Sequence, residues 1–430
     1  MRPIRHMKKV VMISALLLIL TLSLGGGVAS KGNDTAATYE NLRLFTEVLS
    51  IVQSQYVDEV APKDIINNAI KGTLRGLDAH SSFLDPEMYR EMQVETSGSF
   101  GGLGIEITLR DDVLTVVAPI EGTPAYRAGI QPGDRILKIE GLSTKDMQLS
   151  DAVKRMRGKP GSKITITIVR EGWAEPKDFF ITREQIRVQS VRANQLEPGI
   201  EYIRLRQFQE QTANDLETSL DKYVKEGKIQ GLVLDLRNNP GGLLTSAVEV
   251  TEKFLESGKL VVYTEGRVRN QNMRFSSNAK RVFNDFPIVV LVNQGSASAS
   301  EIVAGALQDW GRAVVIGTQS FGKGSVQTII PLSDGSGLRL TTAKYFTPKG
   351  RSIHGKGITP DIIVEGPKTT AAPTPGGGET PVPTPPPAAE TPQEQLKRDP
   401  QLQRALDLLK AMKILDKSRP GPAGPQAQTR

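Results

Sequence analysis

The sequence predicts a multidomain α+β protein: a helical N-terminal segment, a small β-rich domain inserted ahead of a mixed α/β core, and a separate C-terminal helix. Three observations carry this reading. The chain has 430 residues, more than one compact core usually holds. Its texture changes near residue 93, from helical spacing to short apolar stretches between glycine turns. It changes again near residue 185, to a repeating strand–turn–helix pattern that indicates a largely parallel sheet covered by helices.

Residues 1–30 read as an export signal or an uncleaved anchor. Arg2, Arg5, Lys8 and Lys9 precede an apolar run, Val10–Leu24, and the small residues Gly25–Ser30 follow. The run is short for a full membrane span of about 20 residues. Membrane contact is expected only through residues 10–27, and only if the segment is retained. Either way, the rest of the chain is expected outside the cytoplasm, in a periplasm or on the outer face of the cytoplasmic membrane.

Residues 36–92 show helical spacing, with Leu42, Phe45, Leu49 and Val52, then Ile65, Ile66, Ile70 and Leu74. In 93–184, strands are expected at Ile105–Leu109, Val113–Ala118, Ile136–Ile139 and Ile164–Val169, with a short helix at Ser150–Arg157. In 185–366, Leu232–Leu236, Ile288–Val292 and Ala313–Gly317 read as buried strands, and helices are expected near Thr245–Leu255 and Ser300–Trp310. Residues 367–392, rich in Pro, Thr, Ala and Gly, cannot bury enough apolar surface to fold and read as a linker. Within 393–416, one amphipathic helix is expected over Gln393–Lys413, with Leu402, Leu406 and Leu409 on one face.

Composition narrows the chemistry. Apolar residues make up 38% and charged residues 23%, as in a folded globular protein. The net charge of +7 is scattered rather than gathered into a patch, which argues against a nucleic-acid partner. There is no cysteine, so thiol catalysis, disulfides and thiolate metal sites are excluded. No His/Asp/Glu cluster has ligand spacing, so no metal is expected, and no P-loop suggests nucleotide use. No cofactor is expected.

Three segments bear chemistry. In Gln294–Ile302, small residues and three serines lie between a buried strand and a helix, where a nucleophile can be exposed beside free helix N–H groups. Serines at a helix start also cap it for ordinary reasons. In Ser320–Gln327, Lys323 lies between two glycines. To act as a base near neutral pH, a lysine must sit well below its usual pKa of about 10.4, which burial can supply. Gln327, four residues on, would hold it if the loop folds back. In Asp235–Gly242, a Gly-Gly turn after a strand can present N–H groups to an anion. A histidine-based triad is poorly served: of His6, His80 and His354, only His354 lies in the α/β part.

Taken together, LDLRNNPGGLL at 234–244, SASASEI at 296–302, FGKGSVQ at 321–327 and TPKGRSIHGKGITPD at 347–361 resemble the carboxyl-terminal processing (tail-specific) proteases, Ser-Lys peptidases with a PDZ domain. The likeness runs from about residue 36 to 413. It implies an α/β peptidase core with an inserted PDZ domain. It implies Ser298 as nucleophile, Lys323 as general base, Gln327 as the group orienting the lysine, and an oxyanion hole from Ala299 with Gly241 or Gly242. The β-rich domain resembles a PDZ module whose carboxylate-binding loop is Gly102-Leu103-Gly104-Ile105, with client tails adding a strand to the sheet edge. The resemblance also gives Arg157 a regulatory position, coupling this domain to the active site. The expected partners are exported proteins with apolar C-terminal tails. A second copy of the chain or a regulatory envelope protein would be further partners.

The expected function is therefore serine endopeptidase activity on such tails. A catalytically silent PDZ scaffold in the envelope is the competing reading, and an acyl-CoA enzyme of the crotonase architecture is a third. The complete Ser298, Lys323 and Gln327 set speaks against the scaffold, and fold likeness alone is weak support for the third.

Overall fold

The computed structural model describes residues 31–227, 229–366 and 392–417, so the export-signal and linker readings lie outside the described residues. The chain divides after Phe83 into two units. The first holds helices α1 (Lys31–Gln55) and α2 (Pro62–Arg75). Within the helical spacing of 36–92, Pro62 and later Pro86 each start a new helix, as proline does when its missing N–H falls in a first turn. The short strand β1 (Ser82–Leu84) stands at the boundary in the chain.

The second unit opens with α3 (Pro86–Ser97), capped by Asp85, whose side chain accepts from Glu87 N and Met88 N. Strands β2 (Ser99–Gly102) and β9 (Glu184–Arg187) then pair antiparallel, Ser99 opposite Arg187. They are the entry and exit of the β-rich domain, which is why it sits as an insertion. Between them run β3 (Ile105–Arg110), β4 (Val113–Pro119), α4 (Pro124–Arg127), β5 (Arg135–Ile139), β6 (Leu142–Ser143), α5 (Leu149–Met156), β7 (Lys163–Val169) and β8 (Lys177–Thr182). The antiparallel sheet has the order β3-β4-β5-β7-β8, leaving β3 on an edge. On β7, Ile164, Ile166 and Ile168 are buried and alternate with partly exposed threonines, the period of a half-buried strand.

The core contains β10 (Val191–Glu197), β11 (Ile200–Leu205), α6 (Thr212–Glu226), β12 (Gly231–Asp235), α7 (Leu244–Glu252), β13 (Leu260–Gly266), β14 (Arg274–Ser276), β15 (Ile288–Val292), α8 (Ala299–Asp309), β16 (Ala313–Gly317), β17 (Ser325–Pro331), β18 (Gly337–Phe346) and β19 (Ile362–Ile363). Its main sheet has the order β10-β11-β12-β15-β16-β19 and is parallel except for the edge strand β10. A second, antiparallel sheet pairs β17 with β18, β18 with β13 and β13 with β14. The apolar runs did not reveal this second sheet, because β17 and β18 mix polar and apolar residues and are largely half-exposed.

Every residue of β12 and β15 is buried, and the two faces have different partners. Leu232, Leu234, Ile288 and Val290 face the cluster that includes Leu216, Val250, Ile302 and Val303 from α6, α7 and α8. Val233, Val289 and Leu291 face Leu402, Ala405, Leu406 and Leu409. Those last residues belong to α10 (Pro400–Lys417), which follows α9 (Pro392–Arg398). The single helix expected here is thus two. Pro400 disfavours helix at the residue before it, and Asp399 caps the second helix by accepting from Gln401 N and Leu402 N, both at 3.1 Å. Arg237, just past β12, holds this end in place: it bonds Asp235 Oδ2 and Asp399 Oδ2, each at 2.7 Å, and Gln401 Oε1 at 2.9 Å.

Candidate active site

The site forms where three loops leave the C-terminal ends of β12, β15 and β16, the usual place for chemistry in a parallel sheet. The first two loops are tied by side-chain amides. Asn293 Oδ1 accepts from Asn238 N, and Asn293 Nδ2 donates to Asn238 Oδ1, both at 2.9 Å.

The three serines between β15 and α8 have different surroundings. Ser296 and Ser300 are fully buried, and their hydroxyls donate to Leu236 O at 2.8 Å and Asn239 O at 2.9 Å. They fasten the α8 entry to the Asn238–Gly242 loop. Ser298 is partly exposed, and neither loop carbonyl takes its hydroxyl. Its backbone has φ +56° and ψ −113°, a conformation that a residue with a Cβ rarely adopts. The surroundings hold it there. Ala297 N donates to Asn239 O at 3.0 Å, and Ser298 N donates to Glu301 Oε2 at 2.8 Å.

Glu301 is the site residue that the sequence reading left without a role. Its buried carboxylate accepts from Ser298 N and Lys323 N through Oε2, and from Ser320 Oγ at 2.6 Å and Gly322 N at 2.7 Å through Oε1. Burial pushes its pKa up, and the four hydrogen bonds oppose that shift. The Ser-x-x-Glu spacing of a capping box, Ser298 to Glu301, was the available signal.

Lys323 is half-buried on the loop between β16 and β17. Its pKa is lowered, first by burial and then by the positive charge of Arg339; Glu301 opposes the shift. Among the described residues its ammonium makes no direct hydrogen bond to Ser298 Oγ. Gln327 sits at a bulge where β17 slips register against β18, which re-aims its side chain. Its Nε2 donates to Ser325 Oγ at 3.0 Å and Thr341 Oγ1 at 3.2 Å. With the donor end so engaged, the amide oxygen is the end suited to receive an ammonium.

The two glycines differ. Gly241 N donates to Asn239 Oδ1 at 2.9 Å, whereas neither Gly242 N nor Ala299 N donates to any acceptor among the described residues. Both glycines have positive φ, +106° and +139°. A Cβ on Gly241 would lie 2.8 Å from Ser298 Cβ, and one on Gly242 would lie 2.1 Å from Phe208 O. Only glycine lets this loop approach the serine so closely.

In the inserted domain, the carbonyls of the Gly102–Ile105 loop are anchored. Gly104 O accepts from Ile120 N at 2.8 Å and from Thr123 Oγ1 at 3.2 Å, and Leu103 O accepts from Ala125 N at 3.0 Å. The N–H groups of Leu103 and Gly104 have no acceptor among the described residues. Nearby, Leu149, Val153 and Lys154 of α5, together with Phe100, line a cavity of about 660 Å³ that α3 borders. Arg157 lies in its wall, its guanidinium 4.6 Å from the Phe100 ring centre. Among the described residues, no group of three His, Cys, Asp or Glu side chains is set to hold a metal ion.

Comparison with known proteins accords with these features. Residues 199–364 match peptidase family S41, and residues 115–170 match a PDZ domain. The chain is 48% identical over 360 residues to a carboxy-terminal-processing protease of Bartonella bacilliformis, covering 83% of this chain and 81% of that one. The chain belongs to the carboxy-terminal-processing proteases, peptidase family S41. It is a serine-type peptidase with a PDZ domain. It is also 40% identical to a probable CtpA-like serine protease of Staphylococcus aureus, over 76% of this chain and 66% of that one. Among solved structures, it is similar to a photosystem II D1 C-terminal processing protease, with 31% identity, 75% and 92% coverage and a TM-score of 0.43.

Proposed function

We propose that this protein is a Ser-Lys endopeptidase that selects exported proteins by their C-terminal tails. One observation carries the reading. Of the three serine hydroxyls at 296–300, only that of Ser298 is not engaged by the loop carbonyls, and Ser298 stands beside two unengaged N–H groups on a strained backbone.

In this mechanism the neutral Lys323 amine takes the proton from Ser298 Oγ as the oxygen attacks the substrate carbonyl. The N–H groups of Ala299 and Gly242 stabilise the oxyanion. Gly242 is preferred over Gly241, whose N–H is already given to Asn239. The intermediate collapses, the departing amine takes the proton back from Lys323, and water repeats the sequence to release the acyl group. Gln327 orients the ammonium through its amide oxygen.

Tail selection rests on the unengaged N–H groups of Leu103 and Gly104, which suit a terminal carboxylate, and on the free edge of β3, which can accept an added strand. Arg157, in the wall of the adjoining cavity, is placed to report an occupied groove. The residue 1–30 pattern supports export, to a periplasm or the outer face of the cytoplasmic membrane.

The test is cleavage of a model protein with a free apolar tail, beside its amidated form and the Ser298→Ala and Lys323→Ala variants. Cleavage that needs both residues and the free carboxylate supports the proposal. Tail binding with no cleavage by the unaltered protein would favour a scaffold.

A further inference from the structure

Tyr345, on β18, is nearly fully buried (2% exposed) directly beneath the loop that carries Lys323. It holds that loop at two points. Its main-chain N–H donates to Gly324 O at 3.0 Å, and its hydroxyl donates to Lys323 O. The same hydroxyl lies near the Ser298 side chain.

A phenol has one proton to give. The proton goes to Lys323 O, so the hydroxyl is committed to the lysine loop. One buried residue therefore holds the loop of the base at both Lys323 O and Gly324 O. Glu301 ties Ser298 and Lys323 together through their backbones; Tyr345 fixes the lysine side of the pair from below.

We propose that Tyr345 is a positioning residue for catalysis, holding the Lys323 loop beside Ser298 so that the lysine amine can take the proton from Ser298 Oγ when substrate arrives. The charged groups facing Lys323 are Arg339 from β18 and Glu301 from α8. Tyr345 adds no charge, since burial keeps its phenol protonated throughout the working range. The inference rests on the Ser298–Lys323 reading above.

The test is Tyr345→Phe in the full chain, which keeps the ring and removes only the hydroxyl, assayed beside Ser298→Ala and Lys323→Ala. The expected result is a kcat lower by roughly 10- to 100-fold, the scale of one lost buried hydrogen bond, with KM nearly unchanged. The acid limb of kcat/KM should also move to higher pH, because a loosened loop exposes the lysine to water and raises its pKa. Acylation of Ser298 by a fluorophosphonate probe should slow by a similar factor. Binding of a tail peptide and the unfolding midpoint should change little.

An unchanged kcat with an unchanged pH profile would overturn the proposal. So would a loss of kcat matched by equal losses in tail binding and thermal stability, which would mark Tyr345 as structural only. If Ser298→Ala or Lys323→Ala retained activity, the Ser-Lys reading would fail first. If both were inert while Tyr345→Phe was unaltered, only the role of Tyr345 would fail.

Discussion

The main-chain N–H groups of Ser298 and Lys323 donate to the same oxygen, Glu301 Oε2, at 2.8 and 2.9 Å. The two residues lie 25 positions apart in the sequence and on different loops. A single buried carboxylate sets their spacing. Replacing Glu301 by Gln turns one acceptor oxygen into a donor that faces N–H or O–H donors. The expected outcome is a fall in kcat of about 100-fold and a stability loss of about 2 kcal/mol. Steady-state kinetics and chemical denaturation would check both.

The activity should have an acid limb set by Lys323. A base works when unprotonated, so kcat/KM rises as pH passes upward through the lysine's pKa. Burial and Arg339 lower that pKa, and Glu301 raises it. Arg339→Gln removes a repelling charge, so the lysine pKa should rise and the limb should move to higher pH. Glu301→Gln removes an attracting charge and should move it the other way. The pH profiles of both variants test the signs together.

Ser298 carries backbone strain. Ser298→Ala and Ser298→Gly both remove the proposed nucleophile, but only glycine adopts φ +56° and ψ −113° without a Cβ penalty. The glycine variant should be more stable than the alanine variant by about 1 kcal/mol. Urea denaturation of the two inert proteins gives the comparison.

The second face of the main sheet depends on α10. Leu406 is 4% exposed and packs with Val233, Val289 and Leu291. Leu406→Ala should cost about 3 kcal/mol. A chain ending at residue 366 should expose that apolar face and aggregate. Thermal unfolding and light scattering would show each effect.

The sequence by itself determined a good deal. Continuous apolar runs marked β12, β15 and β16 as strands buried on both faces, and glycine turns marked the inserted domain. The four motifs named the family and placed Ser298, Lys323 and Gln327 within it. These features are legible because hydrophobic periodicity and turn chemistry are local, and because a motif is a string.

Tertiary structure decided the rest, since each point needs a partner distant in sequence. It distinguishes Ser298 from Ser296 and Ser300 by where their hydroxyls go, to Leu236 O and Asn239 O or to neither. It separates Gly242 from Gly241 through one bond to Asn239. It brings Glu301 and Tyr345 to the site, and it lays α10 on the open face of the sheet. A buried strand announces that both its faces are covered. The identity of what covers them, and of the oxygen that a given N–H meets, is fixed only when segments far apart in the chain pack together.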